Sequence, residues 1–195
     1  MAPHPHPPPP PCSEAVIEFV STLCTVAQEE LRPAASPRVF SLTKIVECAH
    51  FNMGRIRLVW GRIWAVLSDF FIEVGCHPNL AVAMYAVDSL RQLAMKFLER
   101  DELANYTFQN DFLRPFVVVM RRSGAVEIRE LIIRCASQMV LARVGNVKSG
   151  WKSMFMVFTA AASDDSPQIV RLAFDTVEKI VREHFHYITG EGGGD

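Results

Sequence analysis

Three pairs of residues stand close enough in the chain to suggest chemistry: Cys48 with His50, Cys76 with His77, and His184 with His186. Thiolate and imidazole are zinc ligands, and a cysteine beside a histidine is the usual nucleophile and base of covalent catalysis. Residues one or two apart point in different directions on a helix, so none of these pairs forms a shared site by itself. They read instead as core thiols and half-exposed imidazoles. The strings GxxxxGK[ST], HExxH and CxxC, which would cradle phosphate or seat a metal, are absent. No catalytic set, metal or cofactor is expected.

What is left is a set of polar contacts. Arg55 and Arg62 are seven apart, about two helical turns, and so would share a face with Trp60 on an adjoining one. A basic strip beside an aromatic ring suits phosphate headgroups or an acidic protein surface. Against that, Trp60 also falls in an apolar stripe that reads as core. Asn105 and Gln109 lie in a polar, poorly periodic stretch over 105–111, and Lys148 and Lys152 flank a turn over 148–152. Side chains at turns are free to bind partners, so these four are the other candidate contacts. The competing reading packs both loops, with Tyr106 and Trp151 filling gaps.

The elements that must position them are helices. Over 125–155, Ile128, Leu131, Ile132, Cys135, Met139 and Ala142 recur at three- and four-residue steps, and Gly145 and Asn146 should end that helix by tolerating positive φ. A second amphipathic run follows with Trp151, Met154, Phe155 and Phe158, so this stretch reads as a helical hairpin. Similar stripes run through 13–31, 39–53, 55–74, 79–99, 108–122 and 167–187. Pro115 stands in the first turn of its helix or kinks it. Asn79 is a candidate N-cap, and Asp164, Asp165 and Ser166 before Pro167 form another helix start.

Eight helices with no strand alternation suggest a repeat. LTKIVE from Leu42, LRQLAM from Leu90, ASQMVL from Ala136 and VEKIVR from Val177 align at spacings of 48, 46 and 41 residues, from their numbering. Helical hairpins at this period point to an all-α, right-handed α-solenoid of HEAT or armadillo type over 13–189. An irregular helical bundle is the alternative. The proline-dominated residues 1–12 read as a disordered leader and the glycine-rich 190–195 as a flexible tail.

Composition narrows the class further. With 195 residues and a hydrophobic fraction of 50%, the chain has material for one substantial core. Twenty basic against 21 acidic residues leave a formal charge of −1, so no global field attracts nucleic acid or anionic lipid. Five scattered cysteines, Cys12, Cys24, Cys48, Cys76 and Cys135, fit buried thiols in a reducing compartment better than a disulfide framework. The N-terminus lacks a secretory h-region and no apolar run reaches membrane-spanning length, so a cytoplasmic location is expected.

Seven strings give the chain a family resemblance: RVFSLTKIVE (38–47), NMGRIRLVWGRIW (52–64), LSDFF (67–71), DSLRQLAMKFLERDELANYTFQNDFLRPFVVVMRR (88–122), VEIRELIIRCASQMVLARV (126–144), VKSGWKSMFMVFTAAA (147–162) and EKIVREHF (178–185). Over 36–189 these strings closely resemble the large brefeldin A-inhibited guanine-nucleotide exchange factors for ARF GTPases, plant members above all. The matching part is the helical homology region downstream of the catalytic exchange domain. The resemblance implies a regulatory or scaffold module at the Golgi and trans-Golgi network. Its partners would be an ARF-type GTPase, other parts of an exchange factor, or a membrane surface reached peripherally. Nothing in the chain resembles the exchange domain and its catalytic glutamate finger, so catalysis does not carry over. Gly54, Gly61 and Gly145 stand where the family more often has asparagine or serine, which would loosen helix ends. The competing function is a generic helical-repeat adaptor or truncated product, whose uncovered ends would drive self-association.

Overall fold

A computed structural model of the chain describes residues 13–33, 35–55, 57–100 and 108–189. The expected leader and tail, and the candidate Asn105, lie outside them. The described residues form eight α-helices and no strand: α1 (Ser13–Leu31), α2 (Phe40–Asn52), α3 (Arg57–Gly75), α4 (Leu80–Leu98), α5 (Phe108–Arg122), α6 (Val126–Arg143), α7 (Trp151–Ala162) and α8 (Pro167–Thr189).

Each helix packs on the one two positions along. α1, α3, α5 and α7 form one row and α2, α4, α6 and α8 the other, with α1 on α2, α3 on α4 and α7 on α8 closing the two rows over a common core. The four aligned strings that suggested a repeat all fall in the second row. The hairpin read over 125–155 is divided: α6 packs on α4 and α8, while α7 packs chiefly on α5 and α8.

The apolar stripes became the core as the helical period requires. Trp60, Ile63, Leu67, Phe70 and Val74 of α3 are buried, as are Ala83, Val87, Leu90, Ala94 and Phe97 of α4. Ile128, Ile132, Cys135 and Met139 of α6 are buried too, but Ala142 is exposed, because the α6 stripe turns away from the core near its end. The α6 terminus also differs from expectation. It tightens into a 3-10 turn over Val144–Asn146, with Gly145 outside the positive-φ region and Val147 at φ −74°, ψ 113°.

Pro115 lies inside α5, not in its first turn. A proline has no N–H, so the carbonyl four residues earlier, on Asp111, loses its helical donor. Trp64 of α3 supplies the replacement: its indole N–H donates to the Asp111 carbonyl at 3.2 Å. The Trp64 ring also stacks on Phe112 at 4.0 Å between centroids and 16° between planes, and Phe112 stacks in turn on Phe97 of α4 at 4.2 Å and 10°. One aromatic column thereby joins α3, α5 and α4.

Replacing Trp64 by Phe keeps much of the stack and removes the donor, so it should cost about 1–3 kcal/mol for the stranded carbonyl, beyond the loss of packing. In a Pro115→Ala background the backbone regains an N–H and that penalty should shrink. A double-mutant cycle from urea unfolding measures the difference.

Candidate functional site

Two polar stretches looked like separate binding edges in the sequence, and the structure joins them. Gln109, at the start of α5, is 1% exposed. Its Nε2 donates to the Asn146 carbonyl at 2.8 Å, and its Oε1 accepts from the backbone N–H of Lys148 at 2.9 Å and of Gly150 at 3.0 Å. The side chain is a clamp for the α6–α7 turn, so Gln109 is not an outward contact. Neighbouring Asn110 holds Ser153 of α7, accepting from its N–H at 3.2 Å.

The same turn reaches back to α4. Asn146 Nδ2 donates to the carbonyl of Leu98 at 2.7 Å, satisfying one of the acceptors that a helix C-terminus leaves open. Arg143 donates to the Glu99 carboxylate at 2.6 Å, which Lys96 also approaches at 3.1 Å. The Arg143 and Lys96 hydrogen bonds hold the Glu99 carboxyl below its ordinary 4.5. Gly150 sits tightly at the centre of this edge, since a Cβ there would stand 3.0 Å from Leu113 Cδ1 and 3.1 Å from Gln109 Oε1 and press on the clamp. Lys148 and Lys152 remain exposed on the outside of the clamped turn.

The expected basic strip does not form. α3 starts at Arg57, so Arg55 precedes it in the bend after α2, where its Nε donates to Asn52 Oδ1. Arg62 is on α3, bound through both guanidinium ends to Glu14 of α1, at 2.5 and 2.8 Å. Trp60 is fully buried, which decides for core over surface. Gly61 lies within α3 and not at a helix end, and a Cβ there would meet only Phe108 Cε2 at 3.6 Å.

Burial raises the half-buried thiols of Cys48 and Cys76, the two cysteines that stand beside histidines, above their ordinary 9.0 and away from the thiolate a nucleophile needs. The buried Cys24 and Cys135 are pushed up to about 12. Asn79 N–H donates to His77 Nδ1 at 3.0 Å, so the ring proton is on Nε2, which donates to the Leu31 carbonyl at 3.0 Å. His77 thus ties the end of α1 to the α3–α4 turn, and Asn79 caps α4 by accepting from Val82 N–H. On the same edge, Arg129 of α6 reaches the Ser123 carbonyl at 2.9 Å and pairs with Asp164 at 2.7 Å. Asp164 also accepts from Ser166 N–H at 2.8 Å at the start of α8. Among the described residues no group of three or more histidine, cysteine or acidic side chains is placed to hold a metal, and no helix is long and apolar enough to cross a membrane.

The described residues thus form two rows of helices laced at their turns by polar side chains, with exposed lysines on one edge. Residues 96–179, which contain the whole clamped edge, match the model of the Mon2/Sec7/BIG1-like HDS family. The chain is 70% identical to brefeldin A-inhibited guanine nucleotide-exchange protein 3 of Arabidopsis thaliana over 177 residues, 91% of its length, and equally to protein 2 of that plant. Against protein 1 of Homo sapiens the identity is 55% over 167 residues. The chain is therefore homologous, over most of its length, to the region of these exchange proteins that lies downstream of the Sec7 domain. It spans about a tenth of the length of the curated relatives it matches.

Gln109→Leu, close in volume but unable to hydrogen-bond, leaves two N–H groups and a carbonyl without partners and should cost at least about 2 kcal/mol in chemical denaturation. The Glu99 contacts have a definite pH sign. A carboxyl held below 4.5 contributes stability that is present above that value and is lost as pH falls through its folded value. Glu99→Gln should therefore lower the melting midpoint at neutral pH, with the gap from wild type closing below about pH 4.5, as thermal melts across pH 3–7 would show.

Proposed function

We propose that the chain is a non-catalytic regulatory or scaffold module of an ARF guanine-nucleotide exchange factor, acting in vesicle traffic on the cytoplasmic side of Golgi and trans-Golgi membranes. The observation that carries this reading is homology across nine-tenths of the chain to a segment outside the Sec7 domain, in relatives named as guanine nucleotide-exchange proteins. The two-row packing supports a right-handed α-solenoid of HEAT or armadillo type over residues 13–189, with 1–12 as leader and 190–195 as tail.

The edge formed by the α6–α7 turn is the contact surface in this reading. Gln109 and Asn146 hold its backbone, so Lys148 and Lys152 are presented from a fixed turn with little reorganisation on binding. Two lysines on a rigid edge suit an acidic surface, which an ARF-type GTPase, another part of the exchange factor or an anionic membrane would offer. Arg55 and the stretch around Asn105 are secondary candidates.

Pull-down of an ARF-type GTPase loaded with GTP or GDP, with liposome flotation beside it, tests the proposal. Binding should prefer one nucleotide state and fall about fivefold or more in a Lys148→Glu, Lys152→Glu double variant that melts like wild type. Equal weak recovery in both nucleotide states, together with no flotation at micromolar protein, would overturn it.

A further inference from the structure

The chain holds two serines followed by proline, Ser36–Pro37 and Ser166–Pro167, and no threonine so placed. Proline-directed protein kinases select this dipeptide, since a residue without an N–H leaves no donor unpaired in the kinase cleft. The two sites share the motif and differ in what the fold does with them.

Ser166 is built into a helix start. It is half-buried, its N–H donates to Asp164 Oδ1 at 2.8 Å, and its carbonyl accepts from Val170 N–H at 3.1 Å. Pro167 is the first residue of α8, and Asp164 is itself held by Arg129. A kinase takes its substrate as an extended segment, so presenting Ser166 requires the first turn of α8 to open.

Ser36 stands in the α1–α2 turn, after Leu31 ends α1 and before Phe40 starts α2. Ala35, Ser36 and Arg38 are exposed, and the Ser36 hydroxyl takes part in no hydrogen bond with the described residues. Two backbone bonds hold the turn, from Ser36 N–H to the Pro33 carbonyl at 3.0 Å and from Arg38 N–H to the Glu30 carbonyl at 3.0 Å. Turns run along the edge of a helix stack, where a further helix packed beside α1 does not cover them. The surroundings also suit a phosphate. Arg38 is 75% exposed at its side chain and meets Glu30 only at 4.0 Å, which leaves the guanidinium free to take a stronger anion. The N-cap of α2, Val39, supplies no side-chain cap, and negative charge near a helix start is favoured by the helix dipole.

We propose that Ser36 is a phosphorylation site for a proline-directed serine kinase and that Arg38 receives the phosphate. Ser36 Oγ attacks the γ-phosphorus of ATP, its proton passes to the kinase's catalytic aspartate, and ADP leaves. The product takes the formal charge of the chain from −1 to about −3. That charge falls on the edge laced by His77, which binds the Leu31 carbonyl, and not on the lysine edge. The proposal is independent of the GTPase reading.

The whole chain, incubated with ATP and a proline-directed kinase that modifies synthetic peptides of both sites at similar rates, tests the inference by peptide mapping. In the folded chain Ser36 should be modified at least ~10-fold faster than Ser166, because only the latter needs local unfolding. Ser36→Ala should keep the wild-type melt and lose most of the incorporation. A titration followed by phosphorus NMR should place the second ionisation of the Ser36 phosphate below the ~6 of a free phosphoserine, and Arg38→Gln should raise it. An unmodified Ser36 in the folded chain, or Ser166 modified as fast, would overturn the site. An ionisation that Arg38→Gln does not move would overturn the role of Arg38.

Discussion

The structure turns on a missing hydrogen atom. Pro115 removes one N–H from the middle of α5 and leaves the Asp111 carbonyl, at the edge of the core, without its helical donor. Trp64 answers from α3, and because the donor belongs to a large flat ring, the hydrogen bond also fixes where that ring lies. Phe112 and Phe97 then stack upon it in sequence. One polar requirement met by an aromatic side chain thus ties α5 to α3 and, through the stack, to α4. Gly75 tightens the same joint, since a Cβ there would stand 2.9 Å from Val119 Cγ2.

Around this column the turns are laced to one another by polar groups. On one edge His77 joins the end of α1 to the α3–α4 turn, and Arg129 joins the α5–α6 turn to the α7–α8 turn. On the opposite edge Asn146 and Gln109 join the α6–α7 turn to the end of α4 and the start of α5. Every one of these side chains answers backbone groups left open at helix ends or turns. The apolar stripes bring helices side by side without fixing them along their axes, because a stripe tolerates sliding. The lacing sets the register.

The division between stripe and lacing explains how far the sequence could be read. Helix positions and buried faces need only the 3.6-residue period of a local window, so Ile63, Leu67, Leu90, Phe97 and Ile132 were legible as core. The lacing depends on partners 37 to 48 residues away, as for Gln109 with Asn146 and Asn146 with Leu98. No local window contains both ends of such a bond. Gln109 and Lys148 looked alike in the sequence, each a polar residue beside an irregular stretch, yet one is buried and the other exposed. Arg55 and Arg62 misled for a related reason. Their spacing implies a shared face only if the helix already contains both, and α3 begins two residues too late.

Gln109 also shows why the candidate edge is best regarded as a whole. Its one carboxamide satisfies three backbone groups of the α6–α7 turn, so the turn that carries Lys148 is held at its backbone while the lysine side chain stays in solvent. A loop fixed this way loses little conformational freedom on meeting a partner, and the entropy usually lost in ordering it has been lost already during folding. At this edge the polar residues that looked alike in the sequence therefore differ in what they do: Gln109 is buried and immobilises the turn, while Lys148 and Lys152 stay exposed on it.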